Sequence, residues 1–357
     1  MKIAILSMQK VVNYGSFMQS FALRKTIEEL GHEVEYLDIE NGIQKEGLKR
    51  DNSLYIKKFI ERFCNTHFFQ ILKQHKRLKA RFNNEFFGEL GILDRKYESY
   101  DIVVIGSDEV FNFAQPTPWG FSEQLYGNVK EAEKVISYAG SFGHTTLEKI
   151  AQYGVETEIR SSMSKMASIS VRDINSVEVV EKLLGVKPTM NVDPVFLYDF
   201  TQHLVDIEED NYIIIYTYPN RISSQKEIDK IVEFAKKENK KLISIGFYFS
   251  WCDKVITPHP FEVLSYIKNA DFIITDTFHG SIFSIITNSK FGTLVRNTNS
   301  QKLTSLLKTM NKSDRIIDDL DKLDEIMLKD IDYTETNKVI LSERKRSLEY
   351  LARNLIK

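Results

Sequence analysis

Short apolar segments alternate with segments of helical periodicity along most of the chain. Apolar segments such as residues 3–8 and 272–275 are each followed by polar residues and then by apolar positions with a helical repeat. Uninterrupted apolar segments of this length are typical of strands buried on both faces of a parallel sheet. The sequence therefore predicts an α/β protein with doubly wound parallel sheets.

The alternation occurs in two sets, which a polar and acidic stretch at residues 203–210 separates. A chain of 357 residues is also long enough for two domains. We expect an N-terminal Rossmann-like domain over residues 1–200 and a C-terminal Rossmann-like domain over residues 211–330, with the two sheets facing a cleft. The charged, amphipathic pattern of residues 331–357 predicts a C-terminal helix that packs across both domains.

One segment of the first half departs from this alternation. Residues 41–96 are rich in Lys, Arg, Phe and Asn, and their apolar positions recur at roughly helical spacing. We interpret the segment as a helical insertion in the first domain. It contains no motif that indicates a function.

Composition excludes several classes of function. The 48 Lys and Arg residues nearly balance the 50 Asp and Glu residues, so no global field favours nucleic acid or an anionic membrane. Neither Cys64 nor Cys252 lies in a metal-binding or disulfide pattern. Because the chain shows neither a signal peptide nor an apolar stretch of about 18 residues, we expect a cytoplasmic protein with at most peripheral membrane contact.

Polar residues directly after apolar strands are candidates for a binding site, because ligands of doubly wound sheets bind at the carboxyl ends of the strands. The turn after the first strand contains Asn13, Tyr14 and Gly15, which begin either an ordinary βα turn or a site for an anion or a sugar hydroxyl. The turn at residues 106–112 places Asp108 where it can act as a base, or simply cap a helix.

Arg172 directly follows the predicted strand at residues 168–171. A guanidinium in that position can hold a phosphate or a carboxylate through two parallel hydrogen bonds. A structural ion pair with Asp173 or with another carboxylate explains the same residue equally well.

The strongest candidate is the strand-to-helix turn at residues 276–281. The strand at residues 272–275 ends there, and His279, Gly280 and Ser281 begin a helix whose first amides lack partners within the helix. Such a helix start suits a phosphate, a neighbouring histidine can supply a proton, and Gly280 can let a ligand approach the backbone. The alternative is a core histidine that hydrogen-bonds to a carbonyl group.

Several common catalytic motifs are missing from the sequence. It contains no HExxH, no Walker loop and no GxGxxG, which disfavours a metalloprotease, a P-loop enzyme and a standard dinucleotide-dependent dehydrogenase. Because no cluster of metal ligands is visible either, we expect neither a metal nor a cofactor.

The turns occur in an order and at spacings that resemble the polysaccharide pyruvyl transferase family. The resemblance rests on five motifs, at residues 13–23, 106–112, 170–173, 192–194 and 277–280. It implies a two-domain, GT-B-like enzyme that transfers a pyruvyl group from phosphoenolpyruvate to two hydroxyls of a sugar in a surface-glycan precursor, which can be lipid-linked, forming a cyclic ketal. One difference lies in the second motif, where Glu109 and Phe111 replace the Gln and Trp that the family often carries.

The resemblance and the strand-end positions together predict a set of site residues. His279 and Asp108 are the expected acid and base, and Arg172, His279, Gly280 and Ser281 are expected to bind phosphoenolpyruvate in the C-terminal half. The residues expected to bind the acceptor in the N-terminal half are Asn13, Tyr14, Gly15, Ser107, Asn112 and Asp193. Two alternatives stay open: a GT-B glycosyltransferase that uses a nucleotide sugar, and a non-catalytic carbohydrate-binding protein.

Overall fold

The computed structural model describes residues 1–44, 66–92, 96–296 and 300–356. In these residues the strands are β1 (Lys2–Leu6), β2 (Glu33–Tyr36), β3 (Tyr100–Ile105), β4 (Ala132–Ser137), β5 (Ser170–Val171), β6 (Thr189–Met190), β7 (Tyr212–Tyr216), β8 (Lys241–Ile245), β9 (Lys254–Ile256), β10 (Phe272–Thr275), β11 (Phe291–Leu294) and β12 (Ile316–Ile317).

The α-helices of the same residues are α1 (Tyr14–Glu29), α2 (Phe68–Arg81), α3 (Phe87–Leu90), α4 (Leu147–Gln152), α5 (Glu156–Met163), α6 (Ile174–Leu184), α7 (Gln225–Lys237), α8 (Pro260–Asn269), α9 (Phe278–Ile286), α10 (Ser300–Thr309), α11 (Leu323–Leu328) and α12 (Thr334–Asn354). A π-helical turn at Phe82–Phe86 continues α2, and 3-10 turns lie at Glu123–Tyr126, Pro194–Phe196, Thr201–His203, Ser313–Arg315 and Leu320–Lys322.

The described residues form two compact units. Residues 1–44, 87–92, 96–198 and 341–356 make up the first unit. Residues 66–86, 199–296 and 300–340 make up the second. Each unit contains a parallel sheet with helices in its connections, as the alternating sequence pattern predicted, and the α/β fold class is confirmed.

The sheet of the first unit has the strand order β2-β1-β3-β4, and all of its strands run parallel. Ile3 lies opposite Val34 on one side and Ile102 on the other, so the apolar segments of the sequence become adjacent buried strands. The short parallel pair β5 and β6 continues this arrangement, because Gly140, just beyond β4, pairs with Val171. This pairing places Arg172 at the same edge as the turn that follows β3.

The sheet of the second unit has the strand order β12-β11-β10-β7-β8-β9, again entirely parallel. The central strands β7 and β10 are fully buried, as expected for their uninterrupted apolar sequence. The sequence analysis did not predict the edge strands β9 and β12. Both are only two or three residues long, and their extended backbone depends on pairing with β8 and β11.

The position of the helical insertion differs from the expectation. Residues 41–96 were expected in the first domain, whereas α2 and the π-helical turn belong to the second unit. Gln74 donates a hydrogen bond to the Gly246 carbonyl at 3.1 Å, and Phe86 packs edge-on against His259 with ring centroids 5.0 Å apart. These contacts join elements far apart in sequence, which a local pattern does not reveal. Residues 45–65 of the predicted insertion lie outside the described residues.

The second half of helix α12 belongs to the first unit. Ser347 Oγ accepts hydrogen bonds from the Asn191 side-chain amide at 3.1 Å and from the Val192 backbone amide at 3.3 Å. Tyr350 Oη donates to the Ser137 carbonyl at 2.9 Å. The end of the chain therefore supports the segment that carries Asp193. Within the part of the chain that the structure describes, no helix is long and apolar enough to cross a membrane.

Candidate active site

The turn after β1 has a mainly structural geometry. The Asn13 side chain caps α1, because its Oδ1 accepts hydrogen bonds from the Gly15 amide at 2.7 Å and from the Ser16 amide at 3.4 Å. Tyr14 and Gly15 lie buried in the first turn of that helix. An acceptor contact through these residues stays a prediction, and the polar group that this turn contributes to the cluster described next is the Ser16 hydroxyl.

The turn after β3 gives Asp108 an unusual backbone conformation. Gly106 has φ +123°, and a Cβ at that position would lie 2.2 Å from the Tyr138 carbonyl oxygen, so the turn requires glycine. Ser107 is buried, and its Oγ donates to the Ala139 carbonyl at 3.1 Å. Asp108 itself has φ +79°, in the left-handed region that non-glycine residues seldom adopt. Ser107 therefore holds the turn, and Asp108 carries its partly buried carboxylate.

Arg172 joins two carboxylates at this edge of the sheet. Its Nη1 donates to Asp193 Oδ2 at 2.8 Å, and its Nη2 donates to Asp108 Oδ1 at 3.2 Å. Ser16 Oγ donates to the other Asp108 oxygen at 2.8 Å. The Asp193 side chain is fully buried and that of Arg172 is only 4% exposed, while Asp108 retains 13% exposure. We call Ser16, Asp108, Arg172 and Asp193 the first-unit cluster.

Electrostatics keep the arginine of this cluster charged. Burial lowers the pKa of the Arg172 guanidinium, but the charges of Asp108, Asp193 and Glu109 outweigh burial and raise the pKa above its ordinary value. The structure therefore supports the ion-pair interpretation of Arg172, with Asp108 and Asp193 as direct partners. Asp173 has a different role, since its Oδ1 caps α6 by accepting from the Ser176 amide at 2.9 Å.

Asn112 lies at the centre of a second network after β3. Its Nδ2 donates to Glu109 Oε2 at 2.7 Å and lies 3.1 Å from His144 Nδ1, and its Oδ1 accepts from Thr145 Oγ1 at 2.8 Å. Because Glu109 can only accept when ionised, the amide group must face it, and the second amide hydrogen then points at His144 Nδ1.

Glu109 and Phe111, the two residues of the second motif that differ from the family pattern, both have structural partners. Glu109 holds Asn112 in place, while Phe111 is buried and packs against Phe142 with ring centroids 5.2 Å apart. Asn112, predicted to bind the acceptor, is itself only 2% exposed. Its three side-chain contacts orient Glu109 and His144, and direct contact of Asn112 with an acceptor stays a prediction.

In the second unit, Thr277 organises the turn after β10. It caps α9, because Thr277 Oγ1 accepts from the Gly280 amide at 2.9 Å and the Thr277 carbonyl accepts from the Ser281 amide at 3.2 Å. A Cβ on Gly280 would lie 2.2 Å from Thr275 Oγ1. Threonine hydroxyls fill the space beside Gly280, and the Gly280 and Ser281 amides both donate to Thr277, so donor binding by these two residues stays a prediction.

His279 lies in the first turn of α9 and is 6% exposed. Its ring packs edge-on against Phe278 with centroids 5.6 Å apart and lies 6.0 Å from the Phe283 ring centroid. Two phenylalanine rings therefore lie close to the imidazole. A histidine held this way at the end of a central strand can exchange a proton with a bound ligand.

Asp276, which precedes the capping threonine, collects cationic and hydroxyl donors. Its fully buried carboxylate accepts from Thr217 Oγ1 at 2.7 Å and from Arg296 Nη1 at 2.7 Å, and its carbonyl accepts from Arg221 Nη1 at 3.3 Å. Arg296 also contacts Glu227, with Nη2 to Oε1 at 2.6 Å. We call Arg221, Asp276, His279 and Arg296 the second-unit cluster.

The two arginines of the second-unit cluster differ in their partners. Arg296 is shared between two carboxylates. Arg221 lies with its guanidinium 5.0 Å from the Tyr218 ring centroid, and among the described residues it forms no ion pair with a carboxylate. A guanidinium that keeps its charge without a carboxylate partner suits an anionic ligand.

The predicted site residues thus divide between the units. Asp108, Arg172 and Asp193 converge in the first-unit cluster, and His279 lies in the second-unit cluster. His144, Arg221 and Arg296 were not among the predicted site residues, although they follow strands by seven, five and two residues and that position was an available signal. No group of three or more His, Cys, Asp or Glu side chains within the described ranges is arranged to hold a metal ion.

Comparison with known proteins bears on this arrangement. A family model described as polysaccharide pyruvyl transferase matches residues 13–295, a range that includes both clusters except for Arg296. The chain belongs to the polysaccharide pyruvyl transferase family. No curated protein matches its sequence significantly.

Solved structures resemble this family member in fold. The glycotransferase of kitacinnamycin is 12% identical, with 99% of each chain covered and a TM-score of 0.50. The spinosyn rhamnosyltransferase SpnG is 10% identical, with 99% of this chain and 100% of that chain covered and a TM-score of 0.48. A putative UDP-N-acetylglucosamine 2-epimerase from Listeria monocytogenes is 10% identical, with coverage of 99% and 91% and a TM-score of 0.49. The similarity to the glycotransferase of kitacinnamycin agrees with a GT-B-like pair of Rossmann-like domains, and it shows the fold alone.

Proposed function

We propose that the protein transfers the pyruvyl group of phosphoenolpyruvate to two hydroxyls of a sugar in a glycan precursor and forms a cyclic ketal. The observation that carries this proposal is the family match over residues 13–295, which contains the strand-end turns of both units. The chemistry of those turns agrees with it. One unit presents carboxylates suited to hydroxyl groups, and the other presents a histidine and arginines suited to an anion.

We place the donor at the second-unit cluster. Phosphoenolpyruvate carries a phosphate and a carboxylate, so its site needs cationic donors. Arg221 donates to the carbonyl of Asp276, and Asp276 is three residues before His279 in sequence. No described carboxylate forms an ion pair with Arg221. His279 is the proposed proton donor, and Arg221 the proposed anion-binding residue. The Gly280 and Ser281 amides, engaged by Thr277, have no place in this proposal.

We place the acceptor at the first-unit cluster. Asp108 is the more accessible carboxylate of that cluster, and Arg172 and Ser16 hold its two oxygens in a fixed orientation. A carboxylate held in this way can accept a proton from a sugar hydroxyl. Glu109 and His144, both oriented by Asn112, add further groups that can bind hydroxyls. Arg172 positions Asp108 and supplies the cation that the family resemblance assigns to the donor.

The proposed reaction needs one acid and one base. A proton adds to the methylene carbon of phosphoenolpyruvate, and the first sugar hydroxyl attacks the adjacent carbon and loses its proton. The carbon–phosphate oxygen bond then breaks and inorganic phosphate leaves. The second hydroxyl attacks the same carbon and loses its proton, which closes the ketal. His279 supplies the proton that adds to the methylene carbon, and Asp108 accepts the proton of the first hydroxyl. The departing phosphate takes up one proton and the second hydroxyl releases one, so the protons balance and no oxidant or reductant is needed.

Mass spectrometry tests this proposal directly. The purified full chain is incubated with carbon-labelled phosphoenolpyruvate and candidate glycan acceptors, and we expect one labelled ketal per acceptor together with one equivalent of inorganic phosphate. A parallel reaction contains labelled nucleotide sugars instead. Incorporation of label from a nucleotide sugar, and none from phosphoenolpyruvate, would establish a glycosyltransferase. Binding of the glycan with no turnover of either donor would establish a carbohydrate-binding protein.

A further inference from the structure

Helix α2 turns one face toward the rest of the second unit and the opposite face toward solvent. Gln74 and Leu78 are its buried residues. On the opposite face, Phe69 is 74% exposed and Leu72 is 38% exposed, and no other large apolar side chain in the described ranges is as exposed as Phe69. An exposed aromatic beside an exposed leucine is costly to hydrate, and such a pair often marks an interaction surface.

Cations surround these two apolar side chains. Lys73, Lys76, Arg77 and Lys79 are all exposed, and helix α2 contains no Asp or Glu. None of the four forms an ion pair with any residue that the structure describes. Helix α7 shows the more usual arrangement, because its exposed Lys230 and Lys237 pair with Asp321 and Asp324 at 3.2 Å and 2.7 Å.

The helical repeat places these residues on a single surface. One stripe of the helix contains Phe69 and the residues three, four and seven positions after it, which are Leu72, Lys73 and Lys76. Arg77 and Lys79 lie on the two sides of that stripe. The surface therefore combines an apolar centre with a cationic surround. We call these six residues the α2 face.

We propose that the α2 face binds the surface of a membrane that contains anionic lipids. Phe69 and Leu72 would enter the boundary between headgroups and acyl chains, and the four cations would contact lipid phosphates. A lysine or arginine near such a surface strengthens binding by roughly fivefold. A nucleic acid would use the same cations, but it offers no apolar layer for an exposed leucine, and the whole chain carries a formal charge of −2.

This inference is independent of the proposed reaction. It concerns where the protein binds and not which bond it forms, so vesicle binding can be measured without any substrate. If both hold, the enzyme acts beside a bilayer, where a glycan precursor attached to a lipid would be accessible. A lipid-linked acceptor was one of the possibilities that the sequence left open.

Vesicle sedimentation with the full chain tests the proposal. We expect the wild-type protein to sediment with vesicles of phosphatidylglycerol and phosphatidylcholine, to release them as the salt concentration rises, and to bind pure phosphatidylcholine at least tenfold more weakly. The double variant Phe69→Ser/Leu72→Ser should bind the anionic vesicles about tenfold more weakly. The double variant Lys73→Gln/Lys76→Gln should lose roughly 25-fold.

Two matched controls separate this surface from general effects. Leu341→Ser removes another exposed leucine, which is 63% exposed on α12, and Lys230→Gln/Lys237→Gln removes two exposed lysines that already have carboxylate partners. Both should bind vesicles like the wild type. Wild-type protein that ignores anionic vesicles at low salt, or α2 variants that bind as well as the controls, would overturn the proposal. The proposal would also be overturned if the wild-type protein bound a single-stranded RNA oligonucleotide and not vesicles, and the α2 lysine variant lost that RNA binding.

Discussion

The two strand-end clusters have opposite arrangements of charge. In the first unit, one guanidinium, that of Arg172, lies between the carboxylates of Asp108 and Asp193. In the second unit, one aspartate, Asp276, accepts hydrogen bonds from Arg296 through its carboxylate and from Arg221 through its carbonyl. Two parallel sheets can therefore carry different charges at their strand ends. The first unit has an excess of carboxylates, and the second has an arginine without a described carboxylate partner. The first suits hydroxyl groups, and the second suits anions.

The largest expected effect tests the second-unit cluster. Replacing His279 with Ala should lower kcat by about a hundredfold or more, because the proposed proton donor is lost. Steady-state kinetics with phosphoenolpyruvate and acceptor measure this, and circular dichroism checks that the fold persists. His75→Ala, at an exposed histidine of α2, is the matched control and should retain full activity. Nearly full activity in His279→Ala would show that His279 is not the proton donor. The difference between the two clusters would then depend on their arginines alone.

The next prediction asks whether Arg172 serves the donor as well as its own cluster. The family resemblance assigns Arg172 to the donor, and lysine keeps the charge but cannot form two parallel hydrogen bonds to a phosphate or carboxylate. Arg172→Lys should therefore lower kcat/KM for phosphoenolpyruvate about thirtyfold, mainly through a higher donor KM. Lys165→Arg, at an exposed lysine, is a control for the exchange of cations and should behave like the wild type. A change confined to acceptor kinetics would show that Arg172 acts only in the first-unit cluster.

A pair of variants sharpens the contrast between the two arginines of the second unit. Arg221→Gln should raise the KM for phosphoenolpyruvate about tenfold and leave the free energy of unfolding near that of the wild type, because no described carboxylate loses an ion pair. Arg296→Gln should lower the free energy of unfolding by about 3 kcal/mol, since the buried Asp276 carboxylate loses its cationic partner. Kinetics and urea denaturation of both variants measure these effects. Equal destabilisation by both changes would contradict the distinction.

The smallest expected effect concerns Asn112. Asn112→Ala removes the contacts that orient Glu109 and His144, so the acceptor KM should rise about fivefold while the KM for phosphoenolpyruvate stays within about twofold of its wild-type value. Asn128→Ala, at an asparagine that bonds to Glu123 on the same unit, is the control and should change neither constant. A rise in the donor KM with no change in the acceptor KM would contradict the placement of the acceptor beside Glu109 and His144.

Sequence alone predicted the long elements of the fold well. The strand at residues 272–275 has the limits that its apolar sequence predicts for β10, because burial of a central strand shows in its local sequence. The short strands β9 and β12 could not be predicted in this way. Their conformation comes from pairing with longer strands.

The candidate site was predictable in its positions and not in its contacts. Polar residues after strands identified Asp108, Arg172 and His279. The partners of Arg172 lie 64 and 21 residues away, and Arg221 lies 55 residues from Asp276, so these distances in sequence hide the pairing. The sequence also suggested an open helix start at Gly280, whereas the packing of the Thr275 and Thr277 hydroxyls closes it.

The contacts of α12 have a consequence for the order in which the protein can fold. Ser347 and Tyr350 secure the segment around Val192 and the end of β4, and the ribosome makes these two residues after the whole second unit. During translation the first unit can collapse early, but its last hydrogen bonds must wait for roughly 150 further residues, about 10 to 30 seconds at ordinary elongation rates. The nascent first-unit cluster therefore spends that interval with the strand-end segment of Asp193 only partly anchored, a period in which a chaperone could recognise it.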